Sequence, residues 1–230
     1  MIKLRMKVSK GEAIRYISHL DYSRAIERSL RRAGLPVAYS EGFNPHMKLA
    51  FASALAVGTT SAAEYLDVEL SADITPDEFM SRLGPQLPAG IEIRAAQKIP
   101  PETKTKALMA IVNLATYVIV VPLAAAADLA AAEQSLNRFN GADTIGYVRK
   151  LPKGEREIDI KQFLADRVLI SSAGGRTVEL AVSIRITPVG SIRPGEVLDS
   201  LVNQFNFPAA ADRALIERTG LYISDGQINR

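Results

Sequence analysis

The chain has two histidines, His19 and His46, and each stands beside other polar residues. Histidine is the natural acid, base or neutral metal ligand near pH 7. His46 follows Gly42-Phe43-Asn44-Pro45, a run with the turn chemistry of a loop. Rigid irregular backbone of this kind carries function more often than element interiors do. Asp21 and Glu64 are the carboxylates that would complete a catalytic cluster with either histidine. In one reading His46 or His19 is a general base on a ribose 2′-OH, with basic residues stabilising the phosphorane charge. In the plainer reading each is a structural histidine bonded to backbone. No HxH or HExxH spacing appears, so no metal site is expected. With no Cys, the chain cannot offer a thiol nucleophile, a Cys zinc site or a cysteine-held iron–sulfur cluster. The nucleotide fingerprints GxGxxG and GxxxxGK[ST] and the GxSxG elbow are also absent, and no cofactor is expected.

A second pattern is cationic. Arg24, Arg28 and Arg31 fall at i, i+4 and i+7, which is one face of a helix, and Arg32 flanks them. One turn apart, they suit phosphates bound by charge-assisted bonds. Glu27 interrupts the charge on a neighbouring face, and the alternative is an ordinary solvated face. Net charge over the whole chain is only +3. Its distribution says more: residues 1–50 hold ten Lys/Arg against four Asp/Glu, residues 51–98 three against seven, and residues 99–230 fifteen against fourteen. A first segment at +6 suits an anionic partner such as RNA. Arg24, Arg28, Arg31, Arg32 and Lys48 are the candidate nucleic-acid contacts. Gly42, Phe43, Asn44, Pro45 and His46 form the candidate specific loop.

These residues must be positioned by an α+β fold. Ile2, Leu4, Met6 and Val8 alternate with Lys3, Arg5 and Lys7, a half-buried strand with one basic face. Ser18 caps a helix whose apolar stripe is Leu20, Ala25, Ile26, Leu30 and Ala33; Gly34 and Pro36 end it. Strands are expected at 37–40, 48–56 and around 66–70. Thr75-Pro76-Asp77-Glu78 opens a second helix, and 91–96 is a strand. The order is βαββαβ with an extra strand, that of a ferredoxin-like, split βαβ unit. Glu64 to Glu69 lacks the basic-aromatic pattern of an RNA-recognition motif, which argues against that mode of base stacking.

Residues 98–106 are polar and contain Pro, and the boundary is placed there: an N-terminal domain over 1–98 and a C-terminal one over 107–230. The second half replays the order, with strands at 117–121 and 145–148, a helix over 128–139, and a hairpin of 168–170 with 178–186 around Gly174-Gly175. Between 148 and 168, residues 155–161 are a mixed-charge strand candidate. A helix then starts at Pro194, and the last strand is expected at 221–223. The expected fold is therefore two tandem ferredoxin-like units with antiparallel sheets. Gly190-Ser191-Ile192-Arg193-Pro194-Gly195 leads into that last helix, whose free N–H groups suit an anion. The N-terminus lacks the apolar core of a signal peptide. The apolar stretch 107–132 is broken by Asn113, Pro122 and Asp128, short of the about 18 residues a membrane span needs. A cytoplasmic protein without membrane contact is expected, which the lack of Cys suits.

Tyr16-Ile17-Ser18-His19-Leu20-Asp21, the run from Arg31 through Gly34-Leu35-Pro36 and Glu41-Gly42-Phe43-Asn44-Pro45-His46 to Lys48, and Gly58 with Glu64-Tyr65 resemble the radical-SAM-linked family. That family is a domain of unknown function, separate from or fused behind a B12-type radical SAM protein. The resemblance is specific over 14–70. It echoes at Glu157-Ile158-Asp159, at 190–194 and at Arg218-Thr219-Gly220-Leu221-Tyr222. Met47 stands where the family usually has Pro. The resemblance implies a radical SAM protein as partner, and without Cys this chain is not the catalyst of that chemistry. The expected role is an accessory protein that binds tRNA or rRNA and presents substrate, non-catalytic on its own. One alternative is a metal-independent endoribonuclease, since tandem ferredoxin-like domains with a lone histidine resemble, at fold level, CRISPR repeat-RNA endonucleases. The other is a protein–protein scaffold.

Overall fold

The computed structural model describes residues 2–100, 106–124, 129–174 and 176–224. Residues 101–105 of the expected boundary, Asp128 at the expected helix start and Gly175 of the hairpin turn lie outside them. The chain divides into two compact units. The first runs to Val112 and regains the chain at Ile223; the second is Asn113–Tyr222.

In the first unit β1 (Ile2–Lys10) leads to α1 (His19–Arg32), β2 (Leu49–Phe51) and β3 (Thr59–Leu70). Then come α2 (Pro76–Leu83), β4 (Ile93–Ile99) and the single turn α3 (Leu108–Ile111). β1 lies between β4 and β3, β2 pairs with β3, and every pairing is antiparallel. Strand alternation sends Leu4, Met6 and Val8 to one face, with Leu66, Val68 and Leu70 of β3 beside them, all fully or almost fully buried. The stripe Tyr22, Ile26 and Leu30 of α1 covers that face, joined by Phe79 and Leu83 of α2.

Local chemistry fixes the helix ends. Ser18 Oγ accepts the backbone N–H of Asp21 at 3.1 Å, and Thr75 Oγ1 accepts that of Glu78 at 3.1 Å. α1 stops at Gly34, whose φ is +60°, a conformation that favours glycine. Arg82 of α2 donates to the carbonyls of Ala33 and Gly34, tying the two helices at that point.

The second unit runs β5 (Leu114–Pro122), α4 (Leu129–Gly141), β6 (Gly146–Leu151), β7 (Gly154–Asp159) and the turn α5 (Ile160–Phe163). It continues with β8 (Leu169–Gly174), β9 (Thr177–Arg185), α6 (Pro194–Phe205) and β10 (Leu215–Tyr222). β5 lies between β10 and β9, β8 pairs with β9, and all are antiparallel. β6 and β7 pair only with each other, a hairpin apart from that sheet. The chain is thus an α+β protein with antiparallel sheet in both units.

Several elements differ from expectation. The mixed-charge strand expected over 155–161 ends at Asp159, where the cap of α5 turns the chain, and Leu20 of the expected α1 stripe is 58% exposed. Residues 37–40 form no strand: Val37 and Tyr39 make isolated bridges to Leu70 and Met47. The expected strand over 48–56 shrinks to Leu49–Phe51, and the chain turns at Gly58, where φ is +83°. The last strand runs Leu215–Tyr222 rather than 221–223, paired along β5; its start is hidden in the sequence because the inward residue there is Arg218, 3% exposed, and a register shift between Arg218 and Gly220 breaks the alternation.

Candidate nucleic-acid interface

α1 buries Tyr22, Ile26, Ser29 and Leu30, so the opposite face carries Arg24, Arg28 and Arg31 to the surface. Arg24 has a loose contact of 3.6 Å with Asp21, both side chains more than half exposed. Such a pair contributes little and screens with salt. Arg28 and Arg31 have no ion pair among the described residues. At 1.5 Å per residue the three span about 10 Å of helix. Arg32 serves otherwise, donating to Ser29 Oγ and to the Gln86 carbonyl, which anchors the end of α1.

From the end of α1 the chain passes Pro36 to the loop. Its neck is a short ladder: Ser40 N–H donates to the His46 carbonyl (2.8 Å), His46 N–H to Ser40 Oγ (3.0 Å), and Lys48 N–H to the Ala38 carbonyl (2.9 Å). Glu41 to Pro45 hang from this neck, all exposed, and Phe43 is 100% exposed. Gly42 has φ +120° with nothing within 4 Å of a built Cβ, so its backbone rather than crowding calls for glycine. The loop and the last turn of α1 share one end of the unit, because Val37, five residues past Arg32, bridges Leu70 at the end of β3.

The two histidines do not share a site. His19 is half-buried and meets Phe51 edge-on, ring centroids 4.9 Å apart, and Phe51 pairs with Leu66 of β3. The neck of the His46 loop lies past Lys48, whose carbonyl accepts from Glu69, so about 10 Å of strand separates the two levels. Glu64 lies two residues to the other side of Leu66. It is 1% exposed and faces Lys10 and Tyr22, not His46. Asp21 stays in the helix cap, accepting from Ser18 Oγ at 2.7 Å.

Around Glu64 the structure gathers a polar core that sequence reasoning missed. Lys10 is 1% exposed and donates to the carbonyls of Arg15 (2.9 Å) and Ile17 (3.1 Å). Burial lowers its pKa, the Glu64 carboxylate opposes that, and Arg15 adds to it. Arg15 donates to the Gly58 carbonyl at 2.9 Å, accepts from Gly58 N–H at 3.1 Å, and pairs with Glu12. Tyr22 Oη donates to the Ser9 carbonyl at 3.0 Å; burial first, then the Glu64 charge, raise its pKa. These bonds hold the 15–17 segment that delivers Ser18 and His19 to the start of α1. The one cue was parity: Ile2, Leu4, Met6 and Val8 point inward, and Lys10 continues that count.

Lys48 stands apart from the arginine face. It pairs with Glu69 at 3.4 Å, on the sheet face opposite α1. In the second unit the start of α6 is already filled. Glu196 is buried, accepts from Arg193 N–H at 2.8 Å and takes a bidentate pair from Arg149 at 2.6 and 2.6 Å. The anion place expected at Ser191–Gly195 is thus held by the chain's own carboxylate. Open clefts of about 590 and 430 Å³ flank the β6–β7 hairpin, lined by both signs of charge, such as Arg156 and Asp159. No group of three His, Asp or Glu placed to hold a metal occurs among the described residues. No described helix is long and apolar enough to cross a membrane.

The α+β architecture with antiparallel sheets sets the class. Residues 3–194 match the family described as "Uncharacterized protein conserved in bacteria (DUF2344)", and the chain belongs to that family. No curated protein matches the sequence. Among solved structures the chain is similar to one in a Cbf5-Nop10-Gar1 complex, at 12% identity and TM-score 0.50, over 94% of this chain and 48% of that one. It is also similar to a chain of an H/ACA RNP bound to a substrate RNA containing 2′-deoxyuridine, at 10% identity, TM-score 0.49, over 93% and 47%. A third is from the archaeal box H/ACA sRNP Nop10-Cbf5 complex, at 9% identity, TM-score 0.47, over 94% and 46%. The chain spans about half the length of these chains, and the likeness concerns the fold alone.

Proposed function

We propose that this chain is an RNA-binding accessory protein that holds phosphates on Arg24, Arg28 and Arg31 and presents a tRNA or rRNA segment to a radical SAM enzyme. One observation carries the RNA half. The three arginines share the exposed face of a firmly anchored helix, and two of them have no ion pair among the described residues. An exposed cation without a partner is free to neutralise a phosphate and release the counterions condensed on a polyanion, which makes binding fall with salt. The partner half rests on the resemblance of residues 14–70. The accompanying fold reading is two tandem ferredoxin-like units, supported by the matching orders β4-β1-β3-β2 and β10-β5-β9-β8.

The test is fluorescence anisotropy with bulk tRNA and rRNA fragments across a salt series. Wild type and an Arg24→Glu/Arg28→Glu/Arg31→Glu protein are compared, with melting as the folding control. The triple variant is expected to bind at least about 100-fold more weakly, with a log–log salt slope shallower by about two. Equal affinity in the two proteins overturns the reading. Co-purification of the wild type with a radical SAM protein from the same cell tests the partner half.

A further inference from the structure

The loop that ends in His46 has a feature the arginine face does not explain. Phe43 is 100% exposed, at the tip of a five-residue excursion whose neck is closed by the Ser40–His46 bonds. A large aromatic ring standing fully in water gains nothing from burial in this unit, so folding does not account for its type. The neck presents further rings: Tyr39 is 44% exposed, and His46 is exposed. Arg28 and Arg31 emerge exposed from the half of α1 that runs toward the same end, and the loop itself carries one exposed carboxylate, Glu41. Aromatic platforms beside a cationic track are the combination that binds unpaired nucleotides. The rings stack on bases and the cations follow the backbone. Duplex RNA offers no free base faces, so it would use the arginines and leave Phe43 idle.

We infer that the loop is a base-stacking platform and that the RNA bound here is single-stranded at this point, an unpaired loop or end with one base stacked on Phe43. The inference rests on the RNA-binding reading above and names the form of RNA that reading leaves open. Arg28 and Arg31 hold the neighbouring phosphates, and the closed neck keeps the ring from folding back onto the surface.

The experiment measures Kd by anisotropy for a single-stranded 12-mer, a hairpin with an unpaired loop and a blunt duplex of the same stem. Wild type, Phe43→Ala, Phe43→Tyr and the triple arginine variant are compared, and a 2-aminopurine base in the 12-mer reports stacking. Phe43→Ala is expected to weaken the 12-mer and the hairpin roughly 10-fold or more, in line with the loss of one stacked base. It should leave the duplex unchanged, keep the salt slope and abolish the 2-aminopurine quench. Phe43→Tyr should restore both affinity and quench, since its ring still stacks. Because the ring touches solvent, melting should not change in either variant. If Phe43→Ala binds every RNA as wild type while the triple variant does not, the platform is refuted and the arginine reading stands. If neither variant changes binding, both fall. If Phe43→Ala leaves RNA binding intact and instead loses capture of a purified radical SAM partner, the tip is a protein contact and the inference is overturned.

Discussion

The first unit carries two basic stripes, one on β1 and one on α1, and they end differently. On β1 the cations are answered by the neighbouring strand. Arg5 makes a bidentate pair with Asp67 at 2.7 and 3.1 Å, Lys3 stands in register with Glu69, and the Lys7 ammonium lies 5.9 Å from the centre of the Tyr65 ring. On α1 the arginines meet solvent. In the sequence the two stripes look alike, with three cations at regular spacing in each. What separates them is β3, which places Asp67 and Glu69 in register with Arg5 and Lys3 of β1, while Asp73, Glu78 and Glu92 of the same acidic segment pair with Lys98, Arg82 and Arg94. Register thus supplies β1 with carboxylates and leaves Arg28 and Arg31 of α1 without an ion pair among the described residues. Spacing identifies which charges share a face; only strand register decides which of those charges are already used.

The comparison breaks most visibly at Asp67. This carboxylate is 4% exposed, and removing it strands a guanidinium that is itself mostly covered. Asp67→Ala should destabilise the protein by about 3 kcal/mol, measured by chemical denaturation. Its RNA affinity at a temperature where it stays folded should not rise more than about threefold. A neutral substitution would mean the β1 cations need no partner, and the contrast between the stripes would lose its basis.

Much of this was readable beforehand and some was not, for physical reasons. The caps at Ser18 and Thr75, the Ile26–Leu30 part of the α1 stripe and the hairpin of β8 with β9 follow from local chemistry, and local chemistry is what a sequence displays; Leu20, 58% exposed, leaves the expected stripe and Tyr22 joins it. The arginine face followed from helical period in the same way. The buried Lys10, Arg15 and Glu64 did not, because their burial is set by residues 40 and more positions away. The same holds for Arg218, whose guanidinium donates to Tyr117 Oη from Nε at 3.2 Å and from an Nη at 3.1 Å, 101 residues distant. Residues 37–40 and 52–56 form no strand because a ladder requires a continuous neighbour, and the apolar pattern cannot show that 37–40 finds only isolated bridges while Leu49–Phe51 finds β3.

A smaller effect contrasts the buried polar end of the unit with its exposed arginines. Tyr22→Phe loses the bond to the Ser9 carbonyl and should cost about 1 kcal/mol near pH 7. The pH dependence carries the sharper signature. The pKa of Tyr22 is raised in the folded state by burial and by Glu64, while in the unfolded chain it ionises near its ordinary value of about 10. Below pH ~10 its contribution is complete, and above it the unfolded chain sheds a proton the folded one keeps, so stability falls. Wild type should therefore lose stability faster than Tyr22→Phe between about pH 10 and 11. Lys10, whose lowered pKa works in the opposite sense, is present in both proteins and cancels in the difference. Parallel curves would show that neither burial nor Glu64 holds the proton on this hydroxyl.

The smallest expected effect tests the contrast most directly. Lys3→Gln/Lys7→Gln removes two positive charges from the β1 stripe, a change in net charge one-third that of the triple reversal on α1. If affinity followed net charge, the double variant would show a proportionate loss and a shallower salt slope. If it follows only the cations that register leaves unanswered, the double variant should bind RNA within about threefold of wild type at 0.15 M salt. A Debye length of about 8 Å screens the sheet face from a ligand on the helix face. The salt slope should be the same as wild type, because neither lysine neutralises a phosphate and so neither displaces a counterion from the RNA. Anisotropy titrations of both variants on one RNA decide between the two, and a shallower slope in the lysine variant would move the RNA contact from α1 to the sheet.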